Sequence, residues 1–144
     1  MFKKLLKNER GLTLVELLAV IVILGVISAV AVPSIGNIIQ KSKEDAVKAD
    51  AIAILNAAKL YVMEEDIPVS TNVKIDKQDL LDAKYLENAG TEWSTEPTVT
   101  YNSDNKLVLS GKAQAGKVTL TFSNASIEDI NNDKSGDSNT TIKP

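Results

Sequence analysis

Glu16 is a carboxylate set inside an apolar run. The stretch Lys7–Leu24 reads KNERGLTLVELLAVIVIL, with charges ending before Gly11 and apolar residues beginning at Leu12. From Leu17 to Gln40 no charged side chain follows, a run of 24 residues. A charge at such a place is costly and calls for a partner. A cut between Gly11 and Leu12 would supply one, by freeing an α-amino group at Leu12. Positions i and i+4 share a helix face, so this amine and the Glu16 carboxylate would lie near each other at one end of the helix. If copies pack side by side, the Glu16 carboxylate of one can meet the Leu12 ammonium of the next. The attraction is strong in a low dielectric, and desolvation offsets much of it. Its main role would be register, because a wrong axial offset leaves a buried unpaired charge.

A second group of oxygen ligands lies near the C-terminus: Glu128, Asp129, Asn131, Asp133 and Asp137. Such a set could collect around calcium. The spacing does not meet the EF-hand pattern, because no bidentate glutamate follows. A soluble acidic loop is the preferred reading, with Asp129, Asp133 and Asp137 kept as calcium candidates and no other cofactor expected. The chain has no histidine and no cysteine. This removes the commonest general base, thiolate chemistry and any disulfide framework. With no nucleophile motif or phosphate loop either, no catalytic constellation is present and no enzyme activity is expected.

The elements that place Glu16 follow from length and charge. The chain has 144 residues, enough for one domain and an appendage. About 20 apolar residues span a bilayer as a helix. Residues 1–11 carry four basic side chains against one acidic, a net +3, and the remainder is acidic at −6. Basic residues before the apolar run keep the N-terminus in the cytoplasm and place the rest outside. No basic patch with interleaved aromatics follows, so nucleic-acid binding is not expected. Ala29-Val30-Ala31 has the form of a signal-peptidase site. Glu16 and a 16-residue run from Leu17 to Val32 argue against ordinary secretion. A plain membrane anchor leaves Glu16 unexplained.

The segment GLTLVELLAVIVILGVISAVAVPS resembles the N-terminal signature of type IV pilins and pseudopilins. That pattern has a short basic leader ending in glycine, here Gly11, and glutamate at the fifth position after the cut, here Glu16. A proline follows near the twenty-second, here Pro33. The match covers about residues 1–45. It implies cleavage between Gly11 and Leu12 by a prepilin peptidase and N-methylation of Leu12, where phenylalanine is the commoner residue. It also implies local melting of the helix near Pro33. Some pseudopilins bind calcium near the C-terminus, which is a further ground for the acidic candidates. The lack of cysteine differs from disulfide-bearing pilins of many Gram-negative bacteria and points toward a Gram-positive source.

Proline removes one backbone hydrogen bond and clashes one turn back. Apolar spacing nevertheless resumes beyond Pro33, at Ile35, Ile38, Ile39, Ser42, Ala46, Ala49, Ala53, Ala57 and Leu60, which predicts one helix face. Pro33 is therefore read as a kink or melting point, with Gly25 and Gly36 lowering the cost of unwinding. The helix is predicted over about Leu12 to Glu65, with Lys41, Lys43, Glu44, Asp45, Lys48 and Asp50 mostly outward. Pro68 lies beyond its end. Asp76–Leu86 reads as a short helix capped by Asp76 or Asp79. Thr98–Tyr101, Lys106–Ser110 and Lys117–Ser123 read as strands, with Asn102–Asn105 a turn and Gly111–Gly116 a loop. Val118, Leu120, Phe122, Leu107 and Leu109 would face the amphipathic half of the helix. Trp93 reads as a core or loop anchor. Asn124–Ser126 and Asn139–Thr141 have the glycosylation acceptor form.

The expected fold is thus α+β and pilin-like: a long N-terminal helix spine packed on an antiparallel sheet of about three strands. Residues 1–11 form the leader, 12–40 the transmembrane and assembly half of the helix, 41–130 the globular head, and 131–144 a polar flexible tail. The expected function is a prepilin subunit that polymerises into a type IV pilus. The alternative is a pseudopilin of a type II secretion or competence DNA-uptake filament. A membrane-anchored binding module is a third reading. Expected partners are other copies of the chain, the prepilin peptidase, the membrane assembly platform and minor pilins. The chain would begin as a single-pass membrane protein and end in an extracellular pilus.

Overall fold

The computed structural model describes residues 2–87, 90–134 and 139–144, the first eleven of these by backbone alone. The elements are α1 (Phe2–Glu64), β1 (Lys74–Asp76), α2 (Lys77–Asp82), β2 (Trp93–Tyr101), β3 (Leu107–Ala115), β4 (Val118–Ala125), α3 (Ile127–Asn132) and β5 (Thr140–Ile142). Two units divide the chain, Met1–Ile38 and Ile39–Pro144. The fold is α+β, a long N-terminal helix with an antiparallel-rich sheet.

In the first unit the helix is continuous through Pro33. Its residues from Thr13 to Ile38 are exposed, apart from the half-buried Ala31. Helix also begins earlier than Leu12, since the backbone is already helical from Phe2.

In the second unit α1 is rich in alanine, the residue that loses least on entering a helix. It ends as a Schellman motif: Asp66 takes a left-handed φ of 49°, and the Ile67 N–H reaches back to the Val62 carbonyl at 3.1 Å. Pro68 follows and cannot continue the helix. The core face of this half is Val47, Ala51, Ile54, Leu55, Ala58 and Val62. This corrects the predicted face. Ser42, Ala46, Ala49, Ala53 and Leu60 are exposed, and only Ala57 of that half of the stripe is buried. The helix carries two apolar stripes, and the sheet takes the one with the larger branched side chains, which release more apolar area from water. Glu44, expected outward, is 2% exposed.

The sheet has five strands in the order β1-β2-β3-β4-β5, antiparallel except for the β4–β5 pair. The three expected strands form its centre. Val99, Leu109, Ala113, Leu120 and Phe122 join the α1 core face in one cluster. Leu107 is half-buried against it. The expected loop Gly111–Gly116 is mostly strand. Ala113 and Ala115 point inward and Lys112 and Gln114 outward, a period of two that small residues made faint. Only Gly116 and Lys117 turn the chain. Pro97 sits where the β2–β3 register shifts, as proline in a sheet must. A Cβ on Gly111 would fall 3.0 Å from the Pro97 Cα, so the two strands approach closely there.

The segment expected to be loose contains β5. It pairs with β4 through Leu120–Thr140 to Phe122–Ile142, and Ile142 is 3% exposed. One apolar side chain in a polar stretch is enough to seat it, because the edge of β4 offers backbone partners. α2 is capped at Asp76, whose N–H donates to Asp79 Oδ2 at 2.9 Å.

Candidate assembly site on the N-terminal helix

The segment after Gly11 is built to keep apolar surface in view. Leu14, Val15, Leu17, Leu18, Val20 and Ile21 are each more than half exposed, and the pattern repeats to Ile39. Monomeric soluble proteins rarely show apolar surface on this scale. The helix is long and apolar enough to cross a membrane, and none of the apolar window is buried within the protein. Glu16 lies in this surface and is exposed. Leu12 and Glu16 stand one turn apart in the same helix. Gly11 and Leu12 are described by backbone only, and both are helical. Among the described residues no ion pair is seen for Glu16.

Gly25, Pro33 and Gly36 fall on the same stretch. A Cβ at either glycine would meet nothing within 4 Å, so no close packing demands a glycine there. Pro33 has no N–H for the Ala29 carbonyl. Ser28 Oγ donates to the Leu24 carbonyl at 2.7 Å, a back-bond that often accompanies helix bending.

Asp129 and Asp133, two of the acidic residues near the C-terminus, have partners within the chain. Asp129 Oδ2 accepts from the Ser126 hydroxyl at 2.6 Å and the Ser126 N–H at 2.9 Å, closing a capping box on α3. These two bonds hold the Asp129 carboxyl below its ordinary value. Asp133 Oδ2 lies 2.7 Å from Lys48 Nζ, which also donates to the Asp133 carbonyl at 3.0 Å. Asp137 lies outside the described residues. Among the described residues no group of three acidic side chains is placed to hold a metal ion.

Trp93 is an anchor of a kind the sequence did not detail. Its Nε1 donates to Asp50 Oδ2 at 3.1 Å, and its ring lies 5.6 Å from that of Phe122. The same carboxylate oxygen accepts from the Thr91 N–H. Asn124 and Asn139 both use their side-chain oxygens on neighbouring strands, toward Ser110 Oγ and the Thr119 N–H. Gln40 escaped the sequence reading altogether. Its amide grips the β3–β4 turn, and the only signal was a glycine at the point it touches.

Residues 6–32 match the family described as the prokaryotic N-terminal methylation motif. The chain is similar to the type IV major alpha-pilin of Moraxella bovis, 26% identical over 122 residues, covering 85% of this chain and 74% of that one. It is similar to the type II secretion system core protein G of Escherichia coli (strain K12), 31% identical over 112 residues, 73% of this chain and 75% of that one. The type IV major pilin protein PilA of Myxococcus xanthus (strain DK1622) is 35% identical over 59 residues, 41% of this chain and 27% of that one. No solved structure matches significantly. The core protein G likeness runs through the head as well as the helix, and the methylation motif covers the leader junction; the chain belongs to the type IV pilin family, pseudopilins included.

Proposed function

We propose that this chain is a prepilin, a structural and non-catalytic subunit that polymerises into a type IV pilus filament. The observation that carries the reading is Glu16, an exposed carboxylate at the start of an exposed apolar helix, four residues beyond the residue that follows Gly11. The prepilin peptidase cuts between Gly11 and Leu12 and methylates the new Leu12 amine. The helix holds the subunit in the membrane, with the head outside. An assembly platform then moves it into a bundle, where neighbours replace lipid around Leu12–Val32. Glu16 pairs with the Leu12 ammonium of the next copy and sets the axial step. Minor pilins join the same polymer.

Membrane insertion depends on hydropathy alone, whereas register depends on the charge. Glu16→Ala is therefore expected to insert normally and to give no filaments by electron microscopy. Normal filaments from that variant would remove the argument. Intact mass of the protein sheared from cells is expected to show a chain starting at Leu12; a start at Val32 would mean ordinary secretion.

A second reading, a subunit of a type II secretion filament, is favoured by one observation. Identity to the core protein G of Escherichia coli is 31% over 112 residues, against 26% over 122 residues for the Moraxella bovis pilin. Deleting the gene separates the two: loss of surface pili supports the first reading, and loss of a secreted enzyme with pili intact supports the second.

A further inference from the structure

We propose that Gln40 is a latch that fastens α1 to the β3–β4 turn and halts, at that residue, any opening of the helix that starts near Pro33. Its two amide atoms are both engaged. Gln40 Nε2 donates to the Ala115 carbonyl at 2.6 Å and to Glu44 Oε1 at 2.9 Å, while Gln40 Oε1 accepts from the Lys117 N–H at 3.2 Å. The turn is shaped to the amide. Gly116 holds a left-handed φ of 64°, and a Cβ there would fall 2.6 Å from Gln40 Oε1 and 2.9 Å from Lys43 Cδ. A side chain at 116 would be strained by the backbone and would displace the grip as well.

The position matters because of what flanks it. On the N-terminal side the helix is weakened by Pro33, by Gly25 and Gly36, and by the Ser28 back-bond, and Val32–Ile39 are exposed. Helix opening is cooperative and spreads until it meets residues held by other contacts. On the C-terminal side the first core apolar side chain of α1 is Val47, 3% exposed and about two turns beyond Gln40. Without the latch, the first fastened residue would be Val47. With it, the fastening begins at Gln40 and passes through the buried Glu44, which accepts from the same amide. Ala115 and Lys117 are bound through backbone atoms, so the latch ties the helix to the sheet whatever those side chains are.

Hydrogen exchange reads this boundary directly, because each helical N–H depends on the carbonyl four residues before it. The Glu44 N–H depends on Gln40, and the Ala51 N–H on Val47. In the full chain in detergent micelles, amides 44–50 are expected to be as protected as 51–58. Gln40→Ala is expected to speed exchange of 44–50 roughly 10- to 100-fold, and of Lys117 alongside, the effect of losing two part-buried hydrogen bonds and an exposed one. Amides 52–58 and those of β4 should keep their native rates. Gln40→Glu retains the acceptor for Lys117 but turns a carboxylate oxygen toward Glu44 Oε1 and the Ala115 carbonyl, so it should speed exchange of 44–50 at least as much as Gln40→Ala. Native-like exchange of 44–50 in Gln40→Ala would overturn the proposal. So would a native chain in which 44–50 already exchange faster than 51–58, a result that needs no variant to fold. Neither outcome depends on whether the chain forms filaments.

Discussion

Two stretches of one helix, Thr13–Ile39 and Gln40–Glu64, obey different rules. The first shows apolar side chains on every face and buries none of them. The second shows one buried stripe and one exposed stripe. Both are helical throughout, so secondary structure does not separate them. What separates them is where water is excluded. The second stretch has its own sheet to cover it. The first must be covered by lipid or by other copies, and its apolar surface is meaningful for that reason. On the proposed function the glutamate in the first stretch answers to neighbouring copies, whereas the buried Glu44 in the second is bonded within its own head.

Substitutions can break this contrast in order of size. Loss of filaments in Glu16→Ala is the largest expected effect, an all-or-none change in assembly with the head untouched. Next, Phe122→Ala in the core should destabilise the head by about 3–5 kcal/mol, while Ile27→Ala should leave it within about 0.5 kcal/mol. Urea unfolding of the solubilised full chain, followed by Trp93 fluorescence, measures both. Equal losses would mean that the first stretch is part of the head's core. Ile142→Ala should cost about 2 kcal/mol, through the cavity left between β4 and β5. No change would return the C-terminal segment to the loose tail that its composition suggests.

The smallest effect concerns Asp129. Its carboxyl is held below the ordinary value of 3.8 by the Ser126 hydroxyl and amide. A group with a depressed folded value stabilises above its unfolded value and loses that stabilisation as pH falls through the folded one. Head stability should therefore fall below about pH 4, and Asp129→Asn should flatten this part of the profile while costing about 1 kcal/mol at pH 7. A parallel fall in both proteins would assign the acid sensitivity elsewhere.

How much could be read beforehand varies with the signal each element carries. Glu16, Gly11 and Pro33 stand out because charge, glycine and proline are rare in an apolar run. The central strands were legible through alternation at Thr98–Tyr101 and Lys117–Ser123. β1 and β5 have three residues each, too few for a period to show. The wrong face of α1 was chosen because alanine spacing counted equally with Val47, Ile54 and Val62. The second half of β3 was lost because Ala113 and Ala115 carry little hydrophobic weight. Gln40 and Gly116 are far apart in the sequence, and the glycine alone does not say what it touches.

The short outer strands carry a consequence for a protein that must live crowded among identical copies. An exposed strand edge is a template on which another chain can add, and runaway addition is how amyloid grows. Here both edges of the sheet, β1 and β5, offer only three residues each. Two heads pressed together find little backbone to share along β1 and β5 themselves. Strand exchange and fibrous misassembly are thereby disfavoured, and copies are left to recognise one another through side chains and helices.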